Sequence, residues 1–422
     1  MAIQTLRLPT NLGDIFTWVQ SGKLLYYHAI REIPSDILSR LPSTYHSSLD
    51  PSVLLTESKL WDTTTQLFRQ YQRDFGITFP PLNWHLHFYR CITDLALPLP
   101  VYQTAKRVSG LLGWDFGYPP PKVDSEREEG MEEGQGKRSK IVDFPEARLV
   151  ATLVVVVKLL YPFDGVERHP ERSDEPAAAV LDWDVWSKAA RDYEKAVERQ
   201  MKKGTGQSMS YEDAMKVSED DVLNLTEEKL DAYLEWYGKT WMNRDGPVTE
   251  RSRDKEFRRY LLDTFPVDGP SESVEQQEMQ SGEEAGEEDL AREKAKMRRV
   301  KRVMESMVPR YAVPENEEED DGEEQVLRPG MGYRRYRSKE ELAGHAKEFY
   351  EAVAKFVGFD LDMLIRAVFL TELKLEKWMV EEKKNERIRN GKGKEKEKGS
   401  GQPDRAAAKR RRQLWQEFAI PG

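Results

Sequence analysis

The chain has 422 residues, enough for two or three domains, but 33% of them are charged and the mean hydropathy is −0.73, so not all of it can be core. Cys91 is the one cysteine, which excludes an internal disulfide framework, fits a reducing compartment and rules out a zinc site that draws two or more cysteine ligands from this chain. The net charge of −10 is unevenly spread: Lys383 to Arg412 holds thirteen Lys/Arg against four Asp/Glu, so the remainder is strongly acidic and different parts should meet different partners.

The opening residues have no apolar run of signal-peptide length. Two short amphipathic pieces, Asp14 to Gln20 and Leu24 to Glu32, are followed by a third bounded by Pro34 and Pro42. Thr56 is a good N-cap for a longer helix carrying Leu60, Leu67, Phe68 and Tyr71 and ending near Gly76. Asn83 can cap a helix with Trp84, Phe88, Ile92 and Leu95, closed by Pro98. Another follows with Val101, Ala105, Val108 and Leu112, ending at Gly113. Residues 117–141 are rich in Pro, Glu, Gly and Lys without apolar periodicity, the composition of a disordered insertion.

Order returns at Asp143-Phe-Pro-Glu146, where Pro145 suits the first turn of a helix and Glu146 its positive end. From Leu149 to Leu160 the helix is apolar on nearly every side, the pattern of an element surrounded by others. It contains Lys158, stops before Pro162 and is too short to span a bilayer. Asp182 opens a helix with Trp183, Trp186, Ala190, Tyr193 and Val197. Thr226 opens another with Leu230, Tyr233, Leu234, Tyr237 and Trp241, and a shorter one is expected over Arg253 to Phe265. Residues 268–289 read as acidic and structureless, Arg292 to Met307 as a basic helix, and Glu315 to Glu324 as an acidic run with eight carboxylates in ten residues. Two helices close the pattern, Ser338 to Val357 with the capping box Ser338-x-x-Glu341 and Asp360 to about Arg389. No alternating strand pattern or βαβ unit occurs, so the expected class is all-α.

No nucleophile elbow, phosphate-binding loop or dinucleotide fingerprint is present, and an enzyme is not expected. Gly134, Gly136 and Lys137 come nearest to a phosphate loop, with the wrong spacing and with Glu132 and Glu133 to repel phosphate. His87 and Cys91 share a helix face, but further ligands are missing, so a packed face is the expected role.

The order and spacing of several segments carry a family resemblance. "TLRLPTNLGDIFTWVQSGKLLYYHAIREIPSDILSRLP", "FGITFPPLNWHLHFYRCITDLALPLPVYQTAKRVSGLLGWDF" and "PEARLVATLVVVVKLLYPFDGVERHP" resemble the fungal form of the TFIIB-related subunit of the RNA polymerase I core factor. "LDWDVWSKAARDYEKA" and "LTEEKLDAYLEWYGKTW" continue the block to Trp241, with a weaker match over Tyr333 to Trp378; Lys158-Leu-Leu-Tyr-Pro-Phe-Asp164 is the most specific piece. The resemblance implies cyclin-like, TFIIB-type helical repeats: residues 1–50 as the remnant of a truncated first repeat and 51–265 as the second. A charged, mostly disordered linker over 266–332, a C-terminal helical region over 333–389 and a basic disordered tail over 390–422 complete the expected organisation.

The implied function is assembly of the preinitiation complex on the ribosomal DNA core promoter in the nucleus and nucleolus. The implied partners are that promoter DNA, the other core factor subunits, TATA-binding protein and RNA polymerase I, with no membrane. The family's N-terminal zinc ribbon has no counterpart here, so no cofactor or metal is expected. Within the second repeat, Lys106, Arg107 and Lys158 are the candidate phosphate contacts, of the backbone-reading kind. Lys409, Arg410, Arg411 and Arg412 form a candidate nuclear-import cluster, with Lys296 to Arg302 a weaker one. The alternative reading is a cyclin-fold regulator or helical scaffold that binds proteins only; a contiguous basic surface would separate the two.

Overall fold

The structure is a computed structural model that describes residues 6–21, 23–27, 29–51, 53–120, 141–205, 213–214, 217, 226–240, 274–313 and 327–396. The expected all-α class holds. In chain order the helices are α1 (Leu12–Gln20), α2 (Ser35–Leu38), α3 (Ser43–Leu49), α4 (Glu57–Phe75), α5 (Trp84–Asp94), α6 (Pro100–Leu111) and α7 (Pro145–Leu160). They continue with α8 (Trp183–Thr205), α9 (Glu227–Thr240), α10 (Val274–Glu305), α11 (Gly344–Val357) and α12 (Leu361–Lys396). The one ladder among the described residues is a two-residue antiparallel ribbon, β1 (Ala179–Val180) with β2 (Val308–Pro309), too short to leave a periodic signal in sequence. The expected helix over Arg253 to Phe265 and the acidic run Glu315 to Glu324 lie outside the described residues.

The chain forms two compact units. The first comprises Met1–Gly13, Trp61–Arg191 and Lys296–Gly422; the second comprises Asp14–Leu60 and Asp192–Ala295. In the first, α7 is the hub. Nearly all of its residues from Ala147 to Leu160 are buried, because α12 and α6 cover most of its surface and α5 and α11 cover the rest. A helix so apolar all round is stable only when enclosed. The local starts follow from the sequence: Thr56 Oγ1 accepts the Lys59 N–H (3.4 Å), Asp182 Oδ1 accepts the Val185 N–H (3.1 Å), and Pro145 occupies the first turn of α7.

Aromatic rings fill the spaces between the helices. Phe163, Trp183, Trp186 and Phe349 stack at centroid distances of 4.5 to 5.5 Å, and the Trp186 Nε1–H donates to the Leu95 carbonyl (2.8 Å). That bond satisfies the one polar atom of a fully buried indole and ties α8 to the end of α5. In the second unit, Phe16, Val19 and Leu55 form a small cluster with Tyr26, Tyr27 and Leu60 against it.

Three local expectations are corrected. Leu24 to Glu32 forms only a short 3-10 turn at Ala29–Glu32, because Tyr27 is drawn to the small cluster, where its hydroxyl accepts the Leu55 N–H (2.9 Å), and Leu24 and Leu25 stay exposed. The helix expected from Arg292 begins instead at Val274, since the acidic stretch before it is rich in the helix formers Glu, Gln, Met and Ala. The capping box expected at Ser338 does not form: Ser338 makes no side-chain cap bond, Glu341 accepts the Arg337 N–H (2.8 Å) instead, only a 3-10 turn, Lys339–Glu341, follows, and α11 starts later, at Gly344.

Gly358 ends α11 in the left-handed region, φ 77°, with its N–H on the Ala354 carbonyl (2.8 Å). A Cβ there would lie 2.5 Å from the Gly13 nitrogen, so neither the dihedral nor the space admits a side chain. Gly358→Ala should therefore cost at least about 2 kcal/mol, more than the strain of positive φ alone. Urea unfolding followed by tryptophan fluorescence measures it, and a loss within error would mean that α11 and the Gly13 backbone separate freely.

Candidate nucleic-acid interface

The three cations expected to meet phosphate do not form one surface. Lys158 is 1% exposed, and its Nζ lies 2.5 Å from Glu372 Oε1 on α12. Tyr333 and Tyr336 place their rings 5.2 and 4.8 Å from the same ammonium. Burial pushes the lysine down and the glutamate up, and each partner opposes the shift of the other. An ammonium so enclosed, with its counter-charge in place, cannot reach a phosphate in this fold; Lys158 is a structural cation, and its role as a phosphate contact is withdrawn. Nor does the neighbourhood hold a small molecule. The pocket lined by Lys158, Pro162, Phe163, Asp164, Tyr333, Arg334 and Tyr336 offers about 10 Å³, against several hundred for ordinary ligand sites.

The segment after α7 is fastened by a second internal charge pair. Arg168, 2% exposed, donates through Nη1 and Nη2 to both oxygens of Asp164 (2.8 and 2.6 Å) and through Nε to the Met331 carbonyl (2.8 Å). The guanidinium bond holds the Asp164 carboxyl below the usual carboxylate range. Around this pair the backbones interlock: the His169 N–H donates to Leu327, the Val313 N–H to Pro170 and the Arg310 N–H to Ala178. The Tyr333 phenol, pushed up to about 12 by burial, stays protonated beside the Lys158 pair.

Lys106 is exposed on α6, while its neighbour Arg107 is half-buried and already engaged. Consecutive helical residues point about 100° apart, so the two do not present a single face. The better basic convergence lies elsewhere and was not read from the sequence. Lys374 of α12 stands over the Trp114 ring, 5.2 Å from its centroid, and Arg148 of α7 is close enough to depress its pKa, after burial. Arg148 also spans to exposed Asp115 (3.8 Å). No spacing signals this group, because residues from three separate stretches meet only in the fold. On α10, Lys296 pairs with Asp94 and Arg299 is buried over Trp186, donating to the Asp94 carbonyl, so the weaker import candidate Lys296 to Arg302 is largely spent on packing. Arg298 and Lys301, one turn apart, are exposed on the outer face of the helix. Lys409 to Arg412 lie outside the described residues.

His87 and Cys91 are both buried, with His87 Nδ1 3.2 Å from Asn11 Oδ1, the packed face expected of them. Among the described residues no group of three or more His, Cys, Asp or Glu is placed to hold a metal ion, and no helix is long and apolar enough to cross a membrane.

Residues 53–241 match the family described as Rrn7/TAF1B, C-terminal cyclin domain. A curated relative, the RNA polymerase I-specific transcription initiation factor rrn7 of Schizosaccharomyces pombe, is 23% identical over 268 residues. That alignment takes in 63% of this chain and 46% of the relative, so the chain spans less than half the length of the protein it matches. Among solved structures, the core factor of S. cerevisiae aligns with 72% of this chain and 73% of its own, at 17% identity and a TM-score of 0.35.

Removing the Asp164 carboxylate by Asp164→Ala leaves Arg168 buried without its counter-charge and should cost about 3 kcal/mol in urea unfolding at neutral pH. Because the folded-state value is depressed, this stabilisation is present above the ordinary carboxylate range and is lost as the pH falls through the folded value. The gap between the parent chain and Asp164→Asn should then narrow on acidification; a gap independent of pH would contradict the pairing.

Proposed function

We propose that this chain, which carries a C-terminal cyclin domain of the Rrn7/TAF1B kind over residues 53–241, serves in RNA polymerase I initiation by binding ribosomal core promoter DNA and bridging it to initiation proteins. The family match, in line with the homology to the fission-yeast initiation factor, is the observation that carries this reading. Its partners on this view are the promoter duplex, the other core factor subunits, TATA-binding protein and RNA polymerase I. Its place is the nucleus and nucleolus, with Lys409 to Arg412 serving import. The work is binding rather than catalysis.

Lys106, with Arg107 beside it, remains the phosphate contact read from the sequence; Lys374, Arg148, Arg298 and Lys301 join it as cations at or near the surface of the first unit. These groups can neutralise backbone charge without reading bases, so recognition would rest on phosphate position and duplex shape. Lys374 over Trp114 is held in one place by the ring, which lowers the cost of ordering it against a phosphate.

The test is binding of a ribosomal core promoter duplex across a salt series, using chain truncated after residue 389 so that the basic tail is absent. Each phosphate contact adds about −0.9 to the slope of log K against log salt concentration. Lys106→Glu and Lys374→Glu should each weaken binding and flatten the slope by about one contact, whereas Lys158→Met should leave the slope unchanged. No salt-dependent binding by the truncated parent would favour the alternative, a helical scaffold that meets only proteins.

A further inference from the structure

The β1–β2 ribbon is the most unusual feature of the first unit, because a helical protein here exposes a strand edge surrounded by apolar side chains. Val180 and Val308 face each other across the ladder and are 38% and 61% exposed, and Tyr311, two residues beyond the ladder, is 73% exposed. Isolated exposed apolar residues need no explanation, but a cluster fixed on a rigid ribbon marks an interaction site. The ribbon is rigid because Asp164–Arg168 and the interlocked backbones of residues 168–178, 308–313 and 327–331 hold it from behind.

The register says which edge is open. The Arg310 N–H donates to the Ala178 carbonyl, so residues 178 and 310, and likewise 180 and 308, are hydrogen-bonded pairs, while Ala179 and Pro309 form the intervening pair whose main-chain groups point outward. On the β2 side that residue is proline, which has no N–H to give, so this edge is blocked. On the β1 side Ala179 offers both an N–H and a carbonyl.

Charge settles what the edge would take. Alternation puts Arg310 on the same face of the ribbon as Val308 and Val180. Its guanidinium reaches across the small Ala178 side chain, with Nη1 3.5 Å from the Ala177 carbonyl, and among the described residues no carboxylate lies within ion-pair distance of it. Behind it is the buried Tyr161 hydroxyl, which has no hydrogen-bond partner among the described residues. Glu167, whose carboxylate is exposed, acts on Arg310 only from beyond ion-pair distance, so this partly buried cation remains complementary to a carboxylate arriving from outside.

We propose that the Ala179 edge is a docking site for an extended segment of a partner protein that adds as a third strand, its apolar side chains resting on Val180 and Val308 and an acidic one meeting Arg310. Main-chain bonds at Ala179 set the register, and the acidic residue selects among apolar segments. The site is independent of phosphate contact and stands whether or not the chain binds DNA.

The probe is a display library of short random peptides selected on the full chain. Enriched peptides should alternate β-branched or aromatic residues with one Asp or Glu. Their affinity should fall at least about tenfold in Ala179→Pro and in Arg310→Gln, with no change in the control Arg366→Gln. Unchanged far-ultraviolet circular dichroism establishes that the variants are folded, and Val308→Lys, at an exposed position, gives a second variant if Ala179→Pro is not. Peptides without an acidic residue, or indifferent to the Ala179 and Arg310 variants, would overturn the proposal. So would an absence of enriched peptides together with loss of promoter duplex binding in Arg310→Gln, which would make Arg310 a phosphate contact.

Discussion

Lys158 and Glu372 lie far apart in the chain and meet where no water can reach either of them, with Nζ and Oε1 2.5 Å apart. Burying two charges costs several kcal/mol each, and their attraction offsets this only in good geometry. Geometry here is supplied by two helices of the first unit that pack along each other: α7, apolar on nearly every side from Leu149 to Leu160 and interrupted there by Thr152 and this lysine, and α12, whose register against α7 is fixed by the glutamate. A smooth apolar helix can slide or rotate against its neighbours at little cost. One buried charge pair admits a single alignment, and the Tyr333 and Tyr336 rings around the ammonium extend that alignment to the segment leading into α11.

From this lock the rest of the unit follows. With α12 set against one side of α7, α6 covers the other, and the Trp186 cluster seats α8 on the end of α5. The chain leaving α7 is caught at once by Asp164–Arg168, and that pair anchors the loops whose edges form the ribbon. Surface cations are then distributed by what remains: Lys374 is exposed because it sits two residues beyond the buried Glu372 on α12, and Trp114 receives it because α6 has ended there. The surface available for DNA or protein is thus a consequence of an internal electrostatic fit.

Sequence periodicity was sufficient for the class and for most helices, because those depend on local patterns: Thr56 and Asp182 as caps, Pro145 as a start, and Leu149 to Leu160 as an enclosed helix. It was insufficient for the site. Lys158 at the end of an apolar helix can lead its ammonium to solvent or keep it inside, and only the long-range partner decides between them. The same limit hid Lys374 beside Trp114 and Arg148, and the ribbon, whose strands are two residues long and far apart in the chain. At Leu24 to Glu32 a tertiary contact overrode propensity, since Tyr27 was taken into the small cluster; before α11 the reason is local, the left-handed Gly344 (φ 53°) at which the helix starts.

The direct measurement of the central claim is a double-mutant cycle on Lys158→Met and Glu372→Leu, read by urea unfolding. Each single replacement strands one charge in the core and is expected to cost about 3 to 5 kcal/mol, while the double replacement, apolar on both sides and similar in volume, recovers most of the loss. Single losses that simply add in the double variant would contradict the account, because the two residues would then stabilise the fold separately and α7 and α12 would owe their alignment to apolar packing alone.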